Sequence, residues 1–466
     1  MAQDLDVATG PALAQRRASL GFFAVCLGNF VIMLDTNIVN LAVPHIRESL
    51  GGSFSSLLWV VNGYTLAVAA LIMSGGAIGD RLGNDRAYRF GVLGFAATSL
   101  LCGLAPGLEL LIAFRVLQGV SAALLLPALL GLIPHLFTDP AARSRAVAIW
   151  GSTGAVALAM GPLISGLFID TLGWRAIFAV NVPICVGIYL LARRTITGIP
   201  RGPRRPIDVW GQVLAIAALG ALAFALMEGP VYGWTSPLIV TAGVLVVLAV
   251  PAFVVVQARS AHPLVPLRLF ADRRFTVATV NGLVFQFVFF GTLFLLAIYL
   301  QTVHQTSALS AGLQLLPITI ATALAPPLLT SRLMIERGLR VPVYLAALVG
   351  IPGFLLMLLC DATSPYWVLG AAMALQGLWS GLALPPTASL AVVSPPPGLT
   401  GTGSGVFNAS RQLGGVLGVA VLGGIMSSAD SVVNGMHVGM VICAAGVGVI
   451  ALLVRFATVP VRASAG

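Results

Sequence analysis

The feature that most constrains the fold of this chain is a succession of long apolar segments. Each is roughly 18 to 26 residues long, which is the length a helix needs to cross a bilayer. Fourteen of them are present, at 19–43, 57–78, 90–108, 110–133, 146–168, 176–192, 209–227, 238–256, 275–300, 311–329, 341–359, 367–386, 402–426 and 436–454. Segments of this length predict membrane helices rather than the short alternating strands of a barrel. With only 9% charged residues, the chain also lacks the polar surface of a soluble protein. The predicted fold class is therefore all-α integral membrane.

The distribution of arginine predicts the topology. If successive connections alternate between two sides, 21 of the 25 arginines fall on the side of the two termini, and Arg47 and Arg175 fall on the other. By the positive-inside rule, both termini are then cytoplasmic and the protein lies in the cytoplasmic (inner) membrane. The net charge of +10 follows from this topology and from contact with anionic lipid, so it does not indicate a nucleic-acid partner.

An internal repeat predicts two related halves. The sequence LQGVSAALLLP at Leu117 to Pro127 returns as LQGLWSGLALP at Leu375 to Pro385, in the fourth and twelfth runs. These runs correspond if six helices repeat after an inserted pair, and parallel repeats of six helices are one plan of secondary transporters. The predicted parts are an N-terminal tail (1–18), a six-helix bundle (19–195), a linker with two extra helices (196–268), a second six-helix bundle (269–457) and a C-terminal tail (458–466).

Several classes of function are disfavoured by residues that the chain lacks. All 25 basic residues are arginine, so the lysine of a phosphate-binding loop or of a Schiff-base enzyme is missing. The five cysteines lie within predicted spans without paired spacing, which disfavours disulfides and metal sites. Motifs of membrane hydrolases are absent, and the polar residues form no ring or filter repeat of a channel. We expect no enzyme activity and no cofactor.

Asp35 is the strongest functional signal, because it lies inside the first apolar run. A charged side chain at the centre of a membrane helix costs about 2.5 to 3.5 kcal/mol, so it typically marks an ion or substrate site. Arg115 in the fourth run is the candidate cation for it, and Gln118 shares its helical face. The alternatives are that Asp35 makes a structural hydrogen bond and that Arg115 only ties two helices together.

A second polar stripe lies in the thirteenth run. Asn408, Arg411 and Gln412 follow the spacing of one helical face, which cannot face lipid. We expect this face, with Gln118, to line a substrate cavity. The alternative for Arg411 is that it caps helix ends near the cytoplasm. The aromatic residues Trp59, Tyr64 and Trp379 are further candidates for an apolar pocket.

The quoted segments resemble the major facilitator superfamily, in its fourteen-helix drug:proton antiporter branch. The resemblance covers nearly the whole chain. Within the branch, the segments are similar to those of exporters of the methylenomycin-resistance type. The segments that carry it are LDTNIVNLAVP at Leu34 to Pro44, GGAIGDRLGNDRAY at Gly75 to Tyr88, RVLQG at Arg115 to Gly119, AMGPLISG at Ala159 to Gly166, GWRAIFAVNVP at Gly173 to Pro183, EGPVYGW at Glu228 to Trp234 and NASRQLGG at Asn408 to Gly415. One departure is that Asn84 and Asp85 stand where the family loop usually has basic residues.

The resemblance implies a proton-coupled exporter of drugs or antibiotics that works by alternating access and needs no cofactor. It assigns Asp35 and Arg115 to proton coupling. It assigns the gate loop to Gly76, Asp80, Arg81, Gly83 and Arg86, and the exporter packing motif to Ala157, Gly161, Pro162 and Gly166. Asp80 is expected to pair with a helix end or with an arginine of the other half. The expected partners are a small-molecule drug or antibiotic, protons and membrane lipid, and the protein is expected to be a monomer. The alternative function is a carrier for an endogenous metabolite or amino acid, which the same fold can host.

Overall fold

The computed structural model describes residues 2–137, 139–197, 208–396 and 399–456, and within these ranges all regular structure is helical. The N-terminal half contains α1 (Ala2–Leu50), α2 (Phe54–Leu82), α3 (Asn84–Leu104), α4 (Leu108–Leu136), α5 (Pro140–Leu172), α6 (Ala176–Ala179) and α7 (Asn181–Thr195). A hairpin of α8 (Val209–Tyr232) and α9 (Pro237–Arg259) follows. The C-terminal half contains α10 (Arg273–Thr302), α11 (Ala308–Gln314), α12 (Leu316–Ala325), α13 (Ser331–Arg337), α14 (Arg340–Leu356), α15 (Tyr366–Val393), α16 (Thr400–Ser428) and α17 (Val432–Val454).

The number of membrane spans is close to the number predicted. In the described part of the chain, 13 helical segments are long and apolar enough to cross a membrane. The predicted run at 146–168 falls in α5, a helix of 33 residues in which several side chains lie outside the description. Fourteen spans therefore remain a prediction. The predicted linker 196–268 contains α8 and α9, and its residues 198–207 are outside the described ranges.

Glycine turns define the two ends of the helix bundle. Gly51, between α1 and α2, has φ of 71°, and Gly83, between α2 and α3, has φ of 93°. Side chains with a Cβ rarely adopt this left-handed backbone region, which explains glycine at both turns. We call the ends of the bundle the Gly51 end and the Gly83 end.

The two halves are joined most extensively at the Gly51 end. The largest buried apolar cluster combines residues of both halves there, and the rings of Phe54 on α2 and Phe294 on α10 lie 6.2 Å apart. Toward the Gly83 end, the N-terminal half has its own cluster, whose buried members all lie between residues 24 and 196. The five cysteines are all buried and unpaired.

The hairpin packs against α2 through polar side chains. Gln212 of α8 donates to the carbonyl of Ala70 at 2.7 Å. Glu228 lies sixteen residues after Gln212 on α8, and its carboxylate accepts from Trp59 Nε1 at 2.9 Å and from Ser55 Oγ at 3.1 Å. These contacts near both ends of α8 fix it along α2, and Leu226 and Pro230 of α8 lie beside Gly424 of α16.

Candidate functional site

The Asp35 carboxylate lies in the interior of the N-terminal half and is 0% exposed. It ends up there because α1 is buried on most of its circumference from Val31 to Val43, among α4, α5 and α7. Both carboxylate oxygens are hydrogen-bonded. Oδ2 accepts from Arg115 Nη1 at 2.6 Å, and Oδ1 accepts from Gln118 Nε2 and from Asn181 Nδ2, each at 3.0 Å.

Arg115 is held as tightly as its partner. Its Nε donates to the carbonyl of Val60 on α2 at 3.1 Å, and its Nη1 also donates to Gln118 Oε1 at 2.8 Å. The guanidinium lies over the Tyr64 ring, 4.5 Å from the centroid. An ion pair this deeply buried is stable only when hydrogen bonds and ring contacts replace lost water.

Two members of this network were missed in the sequence. Asn181 at the start of α7 also donates to Ser99 Oγ on α3 at 3.1 Å, and Ser99 donates to the carbonyl of Phe178 at 2.9 Å. Asn181 lies in the segment GWRAIFAVNVP, where a polar side chain inside an apolar run was an available signal. Ser99 had no such signal, because serine is common in membrane helices.

The site links the charge of a carboxylate to helix packing. Three hydrogen-bond donors from α4 and α7 contact the Asp35 carboxylate, which has no contact with solvent. Removing one charge of a buried ion pair leaves the other without its partner, so the link between α1 and α4 depends on the charge of Asp35. The arrangement therefore couples the charge on one atom group to the packing of two helices.

Gln118 belongs to this network, which corrects its assignment to the substrate cavity. It is 0% exposed, and its side chain bonds to Asp35 and Arg115. Its place on the same face of α4 as Arg115 is as predicted from the three-residue spacing.

The polar stripe on α16 is separate from the carboxylate. Arg411 Nη2 donates to Gln286 Oε1 on α10 at 3.3 Å, and the Asn408 amide donates to the Ser404 carbonyl of its own helix at 3.0 Å. Gln412 is half-buried beside them. Arg411 lies ten residues inside the span that begins at Gly401, so the alternative that it caps a helix end is wrong.

The candidate aromatic pocket residues do not form one pocket. Trp379 is 1% exposed and stacks on Phe285 with ring centroids 5.1 Å apart. Tyr64 covers Arg115, and Trp59 bonds to Glu228. Each ring is thus used in packing or in a hydrogen bond.

The small residues of α5 bring two other helices close. Ala157 is fully buried, and a Cβ on Gly161 would lie 3.1 Å from Asn37 Cβ on α1. On the other side, a Cβ on Gly166 would lie 2.4 Å from Leu309 Cα on α11.

The counterpart of this contact is a glycine on α11. A Cβ on Gly312 would lie 2.3 Å from the Pro162 carbonyl, and Asp170 Oδ2 accepts from the Leu309 backbone N–H at 2.9 Å. This seam joins the two halves at the Gly51 end, as close helix approach through small residues allows.

The gate loop lies at the Gly83 end. Gly76 is near the Pro127 ring on α4, and Arg81 is half-buried. Asp80 and Arg86 are exposed, and within the described ranges Asp80 has no ion pair or hydrogen bond. The expected pairing of Asp80 is therefore not formed in this conformation, in which the five loop residues lie outside the buried cluster that joins the halves.

The position of Asn84 accounts for one departure from the usual loop. Its side chain packs between Gly79 and Gly131, where a Cβ on Gly131 would lie 2.4 Å from Asn84 Nδ2. Asp85 pairs with Arg89 of its own helix at 2.8 Å. Both residues are thus used within the N-terminal half.

Comparison with known families is decisive for the fold. Residues 25–419 match the Major Facilitator Superfamily. The chain belongs to this superfamily. It is accordingly a multi-pass membrane transporter and belongs to a family of carriers rather than of enzymes.

Two similar proteins are named for antibiotic resistance. The chain is 33% identical to the methylenomycin A resistance protein of Bacillus subtilis (strain 168) over 92% of each chain. It is 34% identical to the tetracenomycin C resistance and export protein of Streptomyces glaucescens, over 87% of this chain and 75% of that protein. A solved structure of a POT family transporter has a TM-score of 0.71 at 16% identity, covering 95% of this chain and 97% of that one, which supports the fold alone.

Proposed function

We propose that this major facilitator protein exports a drug or antibiotic from the cytoplasm in exchange for protons. The observation that carries the proposal is the buried Asp35 carboxylate with its three donors from α4 and α7. The substrate class is inferred from relatives named for antibiotic resistance and export.

The proposed cycle couples proton binding to helix packing. With Asp35 ionised, the Arg115 pair holds α1 against α4. Protonation releases Arg115, and the helices of the N-terminal half rearrange relative to α10 and α11. A single buried pair is worth about 3 to 5 kcal/mol when one partner is removed, which is enough to reverse a population of two states.

The proposed orientation follows from the arginines. The Gly83 end carries the arginine-rich connections, so it faces the cytoplasm. The seam between α5 and α11 then closes the outer side, and the conformation described here is inward-facing. Alternating access requires this seam to open when substrate leaves.

The test is proton flux in inside-out vesicles. A pH gradient, acidic inside, is imposed and followed with a pH dye while candidate antibiotics are added. We expect a transported compound to collapse the gradient only in vesicles that contain the protein. If compounds move without protons, the protein is a facilitator. If only metabolites or amino acids drive the exchange, the metabolite-carrier alternative replaces drug export.

The missed residue Asn181 gives a further prediction. Asn181→Ala removes a donor to Asp35 and another to Ser99. Since a hydrogen bond to a charged group contributes about 1.5 to 3 kcal/mol, we expect the initial rate of substrate-driven proton flux to fall roughly tenfold or more. Asn281→Ala, which alters a buried asparagine that donates to the Ile450 carbonyl of α17, is the control and should retain most of the rate. A wild-type rate in folded Asn181→Ala would show that this bond is not needed for coupling.

A further inference from the structure

Arg411 is an incompletely satisfied cation inside the bundle. Of its five N–H groups, one donates to the neutral amide oxygen of Gln286 at 3.3 Å. Its Nε is shielded from solvent and has no hydrogen-bond partner among the described residues. The Phe407 ring lies beneath it, 5.9 Å from the guanidinium carbon. Arg411 is half-buried inside a membrane span, and a cation there without an anion is costly, which indicates that the site is completed by something else.

The helical positions of α16 show where this cation points. Gly405 and Gly423 lie five turns apart on one face, which meets Met73 and Leu58 of α2. Gly414 and Gly418 lie about 180° to 220° around the helix from that face, against the α10 backbone.

The remaining two arcs of α16 differ in what covers them. Val421 and Gly424, about 100° to 160° from the α2 face, line a cavity of about 410 Å³ beside α8. Asn408 and Arg411 lie on the opposite arc, about 240° to 300° around the helix. Since α8 covers the outer side of the contact between α2 and α16, the arc of Asn408 and Arg411 faces the interior, where Arg411 lies against Gln286 and Gly282 of α10.

Arg411 has no counter-charge among the described residues. Within the candidate spans, only Asp35, Arg115 and Arg411 lie seven or more residues from a span end. Asp35 is already bound to Arg115, and the buried carboxylate of Glu228, nearer the end of its span, is bound to Ser55 and Trp59. Protonation of Asp35 leaves two positive charges without a counter-charge. An interior of this kind repels a cationic ligand and attracts an anionic one.

We propose that the transported substrate carries a negative charge and that Arg411 binds it. The substrate class is an apolar organic acid, whose carboxylate replaces the weak contact with Gln286 and whose hydrocarbon part lies between the halves. This inference rests on the proposed proton exchange and adds the charge of the cargo.

The charge of the substrate determines how exchange responds to voltage. Export of one monovalent anion for one incoming proton moves two positive charge equivalents inward, whereas export of a monovalent cation moves none. The free energy released when one charge crosses 100 mV can sustain roughly a fortyfold concentration gradient of the substrate. An acid exchanged for one proton is therefore driven by membrane potential as well as by pH, up to a gradient on the order of a thousandfold at 100 mV.

The experiment uses inside-out proteoliposomes and antibiotics grouped as acids, neutral compounds and cations. A lumen-positive potassium diffusion potential is set with valinomycin at zero pH gradient, and uptake of each compound and proton release are measured. The variants are Arg411→Gln, Arg411→Lys and, as control, Arg332→Gln, whose side chain is 79% exposed. Acids are expected to enter in wild type and to enter faster with the potential.

The Arg411 variants separate a binding role from a general structural one. Loss of a charge-assisted hydrogen bond predicts about a ten- to hundredfold weaker apparent affinity for acids in Arg411→Gln. Arg411→Lys should recover part of the apparent affinity for acids. The apparent affinity for neutral compounds should change less than about twofold, and Arg332→Gln should match wild type.

Three outcomes overturn the inference in distinguishable ways. Proton exchange driven by cations but not by acids, without voltage dependence, refutes the anionic substrate and leaves the proposed function standing. Absence of proton exchange with every compound refutes the proposed function and this inference together. If Arg411→Gln loses apparent affinity for acids and for neutral compounds equally, Arg411 does not recognise the charge of the substrate, and the inference is refuted.

Discussion

Asp35→Asn is expected to abolish substrate-driven collapse of a pH gradient, with a reduction of at least about a hundredfold relative to wild type. The substitution keeps the shape of the side chain but removes the group that binds the proton. Among the described residues, no other carboxylate contacts Arg115. Proton flux in inside-out vesicles measures the effect, and substrate binding should persist. Full coupling in the asparagine variant would show that Asp35 is structural.

Two further variants control this experiment. Glu228→Gln alters another buried carboxylate, bound to Ser55 and Trp59, and is expected to keep coupling. Loss of coupling there would place Glu228 on the proton path. Because Asp35→Asn leaves Arg115 unpaired at a cost of about 3 to 5 kcal/mol, the double variant with Arg115→Gln removes both charges. It should fold better than Asp35→Asn and still not couple.

Gly312→Val is expected to reduce transport by at least about tenfold by preventing closure of the seam between α5 and α11. A Cβ at this position would lie 2.3 Å from the Pro162 carbonyl, a backbone atom that cannot move without displacing α5. The substitution therefore disfavours the conformation closed at the Gly51 end and favours the opposite one. Transport rates in vesicles and the accessibility of a cysteine placed at Leu309 measure the two effects.

The control for the seam is a glycine with open space. Gly187→Val on α7 is exposed, and a Cβ there meets no atom within 4 Å. It should transport at nearly the wild-type rate. If Gly312→Val also transports normally, with no gain in accessibility at Leu309, the seam is not a gate.

Much of the central site could be predicted from the sequence because charges inside apolar runs are rare. Asp35 and Arg115 stand out for that reason, and the three-residue spacing places Gln118 beside Arg115. The roles of Asn181 and Ser99 could not be assigned, because they depend on how α7 and α3 pack around α1. Helix periodicity fixes which residues share a face, but it does not fix which helix that face meets.

The seam illustrates the same limit at the level of whole helices. The small residues of α5 predicted a close helix contact, but nothing in their spacing identified α11 as the partner or Gly312 as the opposing residue. The single predicted run at 311–329 is likewise divided, with α11 ending at Gln314 and a π-helical segment at Pro326–Thr330 after α12. Wide turns of this kind depend on local packing and not on hydropathy.

The burial of every cysteine has a practical consequence for labelling this protein. Thiol reagents attack exposed thiolates, yet all five native thiols are shielded, and burial raises the pKa of Cys360 at the end of the span that precedes α15. The sequence also has no lysine, so amine reagents have no side chain to modify. The native chain is thus expected to react little with thiol or amine reagents. A spectroscopic probe attached to one introduced cysteine therefore reports on that position alone.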